Sequence, residues 1–162
     1  MQIVASNELP KYMMTDFFAK HWGSPKMVIS GGVFRCDEID GYAALDEDGQ
    51  IIGFITYAID GKDCEIISLD SIIEKKGIGT ALLQQVEETA KLAHCQRIKL
   101  ITTNDNVYAM AFYQKRGYQF TALFPNAVEK ARRLKPEIPK KAENGIFIRD
   151  EILFSKVILL NE

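Results

Sequence analysis

Between Leu9 and Trp22, the apolar side chains Tyr12, Met13, Phe17 and Phe18 recur at the spacing of one helical face. The Gly-Ser-Pro run at Gly23 to Pro25 ends that pattern, because glycine leaves the helical region without steric cost and proline cannot supply the next N–H. The period then shortens. Met27 to Ser30, Val33 to Arg35, Tyr42 to Leu45, Ile51 to Ile59 and Glu65 to Ile72 alternate or are rich in β-forming residues. Turn-forming clusters at Gly31, Asp46 to Gly49 and Asp60 to Asp63 separate these runs. Short polar turns join strands of opposite direction, so this half of the chain predicts an antiparallel meander.

At Gly77 the helical period returns. Ile78, Leu82, Val86, Ala90 and Ala93 mark one face, while Gln84, Glu87, Glu88 and Lys91 mark the other. Arg97 to Thr103 then reads as a buried strand, Asn106 to Arg116 as a second helix, and Tyr118 to Phe124 as a further strand. This β-α-β-α-β order requires a crossover and a locally parallel pair. Ala127 to Leu134 predicts a short helix and Lys135 to Gly145 an exposed loop, and Ile148 to Leu159 predicts a last strand. The expected fold class is α/β (α+β): a mixed, mostly antiparallel twisted sheet flanked by helices.

A chain of 162 residues with 47% hydrophobic content is sized for one core, so residues 1–162 are expected to form a single domain. The formal net charge of -2 supplies no basic field for nucleic acid or an anionic membrane. No basic, apolar leader opens the chain, and no apolar run is long enough to span a bilayer, which points to a cytoplasmic protein. Cys36, Cys64 and Cys95 are odd in number and widely spaced, as expected of thiols in a reducing compartment. With His21 and His94 as the only histidines, no metal site is expected.

The informative chemistry lies between Glu65 and Leu83, where a strand feeds a helix through Gly77 and Gly79. The first N–H groups of a helix lack intrahelical acceptors and sit at its positive dipole end, so they suit a phosphate. Glycine removes the Cβ atoms that would hold the anion off, and Lys75 and Lys76 add positive charge. Gly79 is followed by Thr80 and Ala81, not by Lys-Ser or Lys-Thr, which disfavours a Walker nucleotide loop. The preceding antiparallel strands disfavour a dinucleotide fold.

A second stretch, Asn106-Val-Tyr-Ala109-Met-Ala-Phe-Tyr113-Gln-Lys-Arg-Gly117-Tyr118, sets Asn106, Ala109 and Tyr113 along one side of a helix. Together the two stretches resemble the GCN5-related N-acetyltransferase (GNAT) superfamily. Its cofactor turn, Gln/Arg-x-x-Gly-x-Gly/Ala, is followed after a helix and strand by Asn-x-x-Ala-x-x-x-Tyr-x-x-x-Gly-Phe. The resemblance covers Gln50 to Phe124. This chain departs from it at Glu74, where the family has Gln or Arg, and at Lys75, where glycine is common. A carboxylate about 4 Å from a phosphate costs ~1 kcal/mol even in water, so Glu74 is expected to point outward and offer its backbone N–H alone.

The resemblance implies an acetyl-CoA-dependent N-acetyltransferase, with the cofactor held by Glu74, Lys75, Lys76, Gly77, Ile78, Gly79 and Thr80. It also implies that the pantetheine arm pairs with the preceding strand, where the Leu69 N–H polarises the thioester carbonyl at a strand bulge. Asp70 and Ser71 are candidates to touch cofactor or acceptor, and Asn106 to bind the arm. Tyr113 occupies the family's general-acid position, and a phenol, with a reference pKa of about 10, suits a thiolate leaving group. Glu65 and Asp63 match the positions of the base, with Glu65 first. Asn106 also reads as an N-cap, Tyr113 as a core aromatic, and both acids as solvated carboxylates.

A ping-pong route through Cys64 is disfavoured, because alternation turns it away from Glu65. Trp22, Arg35, Tyr57 and His21 are candidates for the acceptor site, and the cluster Lys130 to Lys135 reads as a solvated helix face or an anion patch. The expected acceptor is an amine of a small molecule or a protein. A non-catalytic CoA-binding sensor or interaction module is the alternative, and an interaction protein with a fortuitous motif is a third reading. The oligomeric state is left open, with a homodimer as one arrangement.

Overall fold

The structure, a computed structural model, describes residues 1–30, 32–73 and 76–158. Gly31, Glu74, Lys75 and Leu159, all named above, lie outside the described residues. The elements are β1 (Gln2–Ala5), α1 (Lys11–Trp22), β2 (Lys26–Ile29), β3 (Gly32–Arg35), β4 (Gly41–Leu45), β5 (Ile51–Asp60), β6 (Asp63–Ser71), α2 (Ile78–Leu92), β7 (Arg97–Thr103), α3 (Val107–Lys115), β8 (Gln119–Phe124), α4 (Ala127–Leu134) and β9 (Glu151–Val157). The fold is mixed α/β, with a mostly antiparallel sheet flanked by helices. The residues group into two compact units. One holds Met1–Met27, Phe34–Ile98 and Ile158; the other holds Val28–Val33 and Lys99–Val157.

In the first unit the strands lie in the order β1-β4-β5-β6, each antiparallel to its neighbour. β1 is the one the sequence pattern does not reveal: four residues are too few to show alternation, and the strand exists through its pairing with β4. α1 begins at Lys11 rather than Leu9, because Pro10 takes the extended N-cap conformation at φ −59° and ψ 137°. It covers one face of the sheet, with the rings of Phe17 and Phe18 at 5.9 and 5.2 Å from Phe54. α2 covers the other, where the Tyr42 and Thr89 hydroxyls lie 2.7 Å apart.

Gly53 lets α2 come close. A Cβ there would stand 2.5 Å from Cγ2 of Ile78, 3.1 Å from Cδ1 of Leu82 and 3.1 Å from the Asp70 carbonyl oxygen. Gly53→Ala is therefore expected to lower the folding free energy by about 1–3 kcal/mol through overpacking, read as a lower urea midpoint at unchanged slope.

β6 is not a regular strand. Its register with β5 pairs Tyr57 with Ile66 and Thr56 with Ser68, which leaves Ile67 as an extra residue. Beyond this bulge the alternation is reversed. Glu65, opposite Ala58, shares a face with Ser68 and Asp70, opposite Thr56 and Phe54. Because Phe54 packs against α1, this is the α1 face.

In the second unit the order is β7-β9-β8, with β8 and β9 antiparallel. Glu151, at the start of β9, is 1% exposed, and its Oε1 accepts from Ser30 N at 2.9 Å and Ser30 Oγ at 2.5 Å. β9 starts at Glu151 rather than Ile148 because the preceding backbone groups are bonded elsewhere. Asn104 Oδ1 accepts from the N–H groups of Arg149 and Asp150, and Ile148 N donates to the Lys140 carbonyl. At its other end Ile158 leaves the strand and donates to the Gln96 carbonyl.

The Lys130–Lys135 cluster is not one solvated face. Arg132 turns inward and donates to the carbonyls of Ile138, Pro139 and Ile148, so that it straps the mostly exposed loop after α4, and Lys135 is buried. Lys130 and Arg133 alone of its basic residues are exposed.

Candidate active site

The start of α2 leaves backbone N–H groups open. Gly77 is the N-cap of α2 with φ 71° and ψ 12°, a left-handed conformation that side chains with a Cβ rarely adopt. Among the described residues no side-chain cap bond is made at this helix start, its first backbone bond is Ala81 N to the Gly77 carbonyl, and a Cβ built on Gly77 would meet nothing within 4 Å. Ile78 turns its side chain into the core at 3% exposure and so offers its backbone to the turn. Gly79 and Thr80 are half-buried in the first helical turn, and Lys76 is exposed beside Gly77. Glu74 and Lys75, outside the described residues, are not assigned a geometry.

β6 leads into this turn. Leu69 pairs with Ile55, two positions past the bulge, and Ser71 bonds through Oγ to the Ile73 carbonyl. Three acidic side chains lie along the strand in different environments. Asp63 is held by Arg97, with Nη2 at 2.7 Å from Oδ2 and Nε at 3.2 Å from Oδ1, and this bidentate pair raises the Arg97 pKa. A carboxylate fixed in that way is a structural partner rather than a base. Glu65 is half-buried on the same face. Asp70 is half-buried as well, and burial drives its pKa up to about 6 against the lowering effect of a hydrogen bond from the Trp22 indole. That bond, Nε1 to Oδ1, is 3.1 Å long, while Oδ2 is shielded from water and has no partner among the described residues.

Cys64 faces away from Glu65, as alternation requires, and is fully buried; burial, with Cys95 and Glu65 nearby, pushes its thiol up to about 12. It is a core residue, not a nucleophile. The other candidates for an acceptor site are engaged locally. His21 lies tilted against Phe17 at 4.6 Å, Tyr57 stacks on Tyr42 at 6.0 Å, and Arg35 pairs with Asp37 and Glu38. Burial and the Tyr42 hydroxyl raise the Tyr57 pKa.

Asn106 and Tyr113 belong to the second unit. Asn106 caps α3, its Oδ1 accepting from Ala109 N at 3.1 Å, and it lines a shallow pocket of ≈ 280 Å³ with Asp105, Val107, Tyr108, Ala142 and Asn144. Tyr113 is 6% exposed, edge-on to Phe112 at 5.2 Å and to Tyr118 at 5.5 Å, with Phe154 at 6.2 Å. Their spacing along α3 follows from the helical period that the sequence displays.

The model of the acetyltransferase (GNAT) family matches residues 8–118, a span that contains both the Gly77 turn and the α3 motif. The chain belongs to this family. Within it, the chain is 80% identical over 158 residues to the uncharacterized protein YdhI of Bacillus subtilis (strain 168), covering 98% of this chain and 99% of that one. Among solved structures it shares its fold with the IAA acetyltransferase from Bacillus cereus ATCC 14579, at a TM-score of 0.70 and 23% identity, over 96% of this chain and 99% of that one. It also shares its fold with a Bacillus subtilis acetyltransferase in complex with CoA, at a TM-score of 0.68 and 19% identity, over 98% and 99% of the two chains.

For a GNAT acetyltransferase, the pairing of Trp22 with Asp70 is the feature that sequence reasoning missed. Each residue was named separately, but nothing in their separation along the chain links an indole at the end of α1 to a carboxylate at the end of β6. Among the described residues no group of three or more His, Cys, Asp or Glu side chains is placed to hold a metal. No helix formed by them is long and apolar enough to cross a membrane.

Proposed function

We propose that the chain is an acetyl-CoA-dependent N-acetyltransferase that acylates an amine of a small molecule or protein by direct attack, without a metal. The observation that carries this reading is the uncapped start of α2 behind a left-handed Gly77, where backbone N–H groups can receive a pyrophosphate. The CoA complex of the Bacillus subtilis acetyltransferase with the same fold supports that ligand.

In this reading the turn from Glu74 to Thr80 grips the pyrophosphate, and the Leu69 N–H polarises the thioester carbonyl while Asp70, Ser71 and Asn106 adjoin the arm. Tyr113 protonates the departing thiolate. A carboxylate of β6 takes the amine proton, and Glu65 is the one that the family pattern marks. Residues 1–162 act as one catalytic domain in the cytoplasm, either alone or as a homodimer; the family match across 8–118 supports the single domain.

Calorimetric titration with CoA, followed by thiol release from acetyl-CoA over a panel of primary amines, tests the reading. Binding with turnover of at least one amine is the expected result. Saturable CoA binding with no turnover, and no effect of Tyr113→Phe, would favour a CoA sensor. Absence of binding would leave an interaction protein.

A further inference from the structure

Asp70 has a chemistry that the cofactor turn does not use. Its Oδ1 is fixed by the only tryptophan in the chain, while its Oδ2 is enclosed without a donor among the described residues. A buried acceptor without a partner is costly, of the order of what a lost hydrogen bond costs, so its persistence calls for an explanation. The side chain points to the α1 face, the same face as Glu65, because the bulge at Ile67 reverses the alternation between them.

Asp70 also follows Leu69 directly, and consecutive Cα atoms are ~3.8 Å apart. A carboxylate on this face therefore stands next to the amide assigned to the thioester carbonyl. Glu65 lies on the far side of the bulge from that amide.

We infer that Asp70, rather than Glu65, is the residue that receives the acceptor, binding a primary ammonium at Oδ2 and taking its proton, with Trp22 as its positioning residue. The inference rests on the acetyltransferase reading and names the base and the charge of its substrate: a cationic primary amine. The steps balance. Oδ2 takes one proton from the ammonium and frees the nitrogen lone pair. The lone pair adds to the thioester carbon as the carbonyl π pair moves to oxygen. The C–S bond then breaks, Tyr113 protonates the sulfur, and the second proton lost by nitrogen restores the phenol. Asp70 releases its proton to solvent. Burial lowers the ammonium pKa and raises the carboxyl pKa, which narrows the gap between donor and acceptor.

Among the described residues, few titratable groups share the face of Asp70. On its face, α1 contributes the exposed His21, β6 contributes Glu65 and the Arg97-bound Asp63, and β5, whose Tyr57 turns to the other side, contributes none between Phe54 and Ala58. Asp37, in the segment before β4, is buried and accepts from Thr15 of α1. Burial alone would raise its pKa, but hydrogen bonds from Thr15 and Arg35 outweigh that effect and hold it low.

Because Trp22 is the sole tryptophan, its fluorescence reports the state of Asp70 without any need for turnover. The emission of the full chain should titrate with a midpoint near pH 6, and Asp70→Asn should abolish that transition while His21→Gln leaves it. Spermidine, used as the probe amine, should move the midpoint down, since a cation beside the carboxylate favours its ionised form.

In turnover with the best amine of the panel, kcat/KM should rise with pH through about 6 in the wild type. Asp70→Asn should remove that limb and lower kcat/KM about a hundredfold, in the usual range for a general base. Trp22→Phe should move the limb to higher pH, because the lost indole donor had lowered the Asp70 pKa. Loss of the limb in Glu65→Gln but not in Asp70→Asn, or a fluorescence midpoint indifferent to spermidine, would overturn the inference. A spermidine-sensitive midpoint in a chain that neither binds CoA nor releases thiol would instead sink the acetyltransferase reading and leave the amine site standing.

Discussion

Tyr113→Phe should lower kcat by about a hundredfold, the range in which a positioned general acid contributes, while CoA affinity stays unchanged. The substitution keeps the ring that packs on Phe112, Tyr118 and Phe154 and deletes the hydroxyl alone, so its folding cost should be about 1 kcal/mol. The pH dependence distinguishes chemistry from packing. A thiol has a pKa of about 8.5, so the leaving thiolate needs less assistance as the pH rises toward and beyond about 9, and the defect should shrink there. A packing defect would be indifferent to pH. Stopped-time assays of thiol release from pH 6 to pH 9.5, about the span over which a thiol and a phenol titrate, would read the difference.

Gly77→Val should weaken CoA by about a hundredfold or more. A β-branched residue at φ 71° is a steric outlier, and the left-handed region alone costs an L-residue roughly 1–2 kcal/mol. The turn can relieve that strain by rotating its N–H groups away from the anion. The loss of two charge-assisted hydrogen bonds at about 1.5 kcal/mol each corresponds to about two decades of affinity. Gly77→Ala should fall between the two. Acetyl-pantetheine, which lacks the pyrophosphate, supplies the internal control: its turnover should be insensitive to either substitution if the turn acts through phosphate, and equally impaired if the whole unit is distorted.

Both experiments depend on features that the sequence displays openly. A glycine needed for a positive φ, an uncapped helix start and the period of α3 are local properties, and local properties survive in a one-dimensional pattern. The helices and most strands were legible for the same reason. β1 was not, since a four-residue strand is created by its partner; nor was the start of β9, because Asn104 and Lys140 claim the backbone of Ile148 to Asp150 from elsewhere in the unit. The basic run after Ala127 looked uniform as letters, yet Arg132 is turned inward by three carbonyls that no helical wheel contains.

The candidate base shows the same limit more sharply. Strand alternation correctly separates Cys64 from Glu65, and it pairs Asp63 with Glu65. It gives no warning that Arg97 holds Asp63, or that an indole from another element fixes Asp70. Those facts arise from tertiary contacts between distant segments. The enclosed Oδ2 of Asp70 is likewise visible only once the side chains around it are in place. The raised pKa has a stability consequence of definite sign. A carboxyl whose folded pKa of about 6 exceeds its ordinary value of 3.8 favours the folded state fully below pH 3.8. That contribution is lost as pH rises through 6, so Asp70→Asn should flatten this part of the stability profile.

The extra residue at Ile67 makes β6 a strand with two parities. Counting backward from Asp70 by twos assigns each side chain to its correct side only as far as Ser68; earlier positions need one more step. Role transfer between relatives that differ in this single insertion would put the same letter on opposite sides of the sheet. Deleting Ile67 would leave Ile66 opposite Tyr57 and Glu65 opposite Ala58, so both side chains keep their faces in an unbroken alternation and only the local kink is lost.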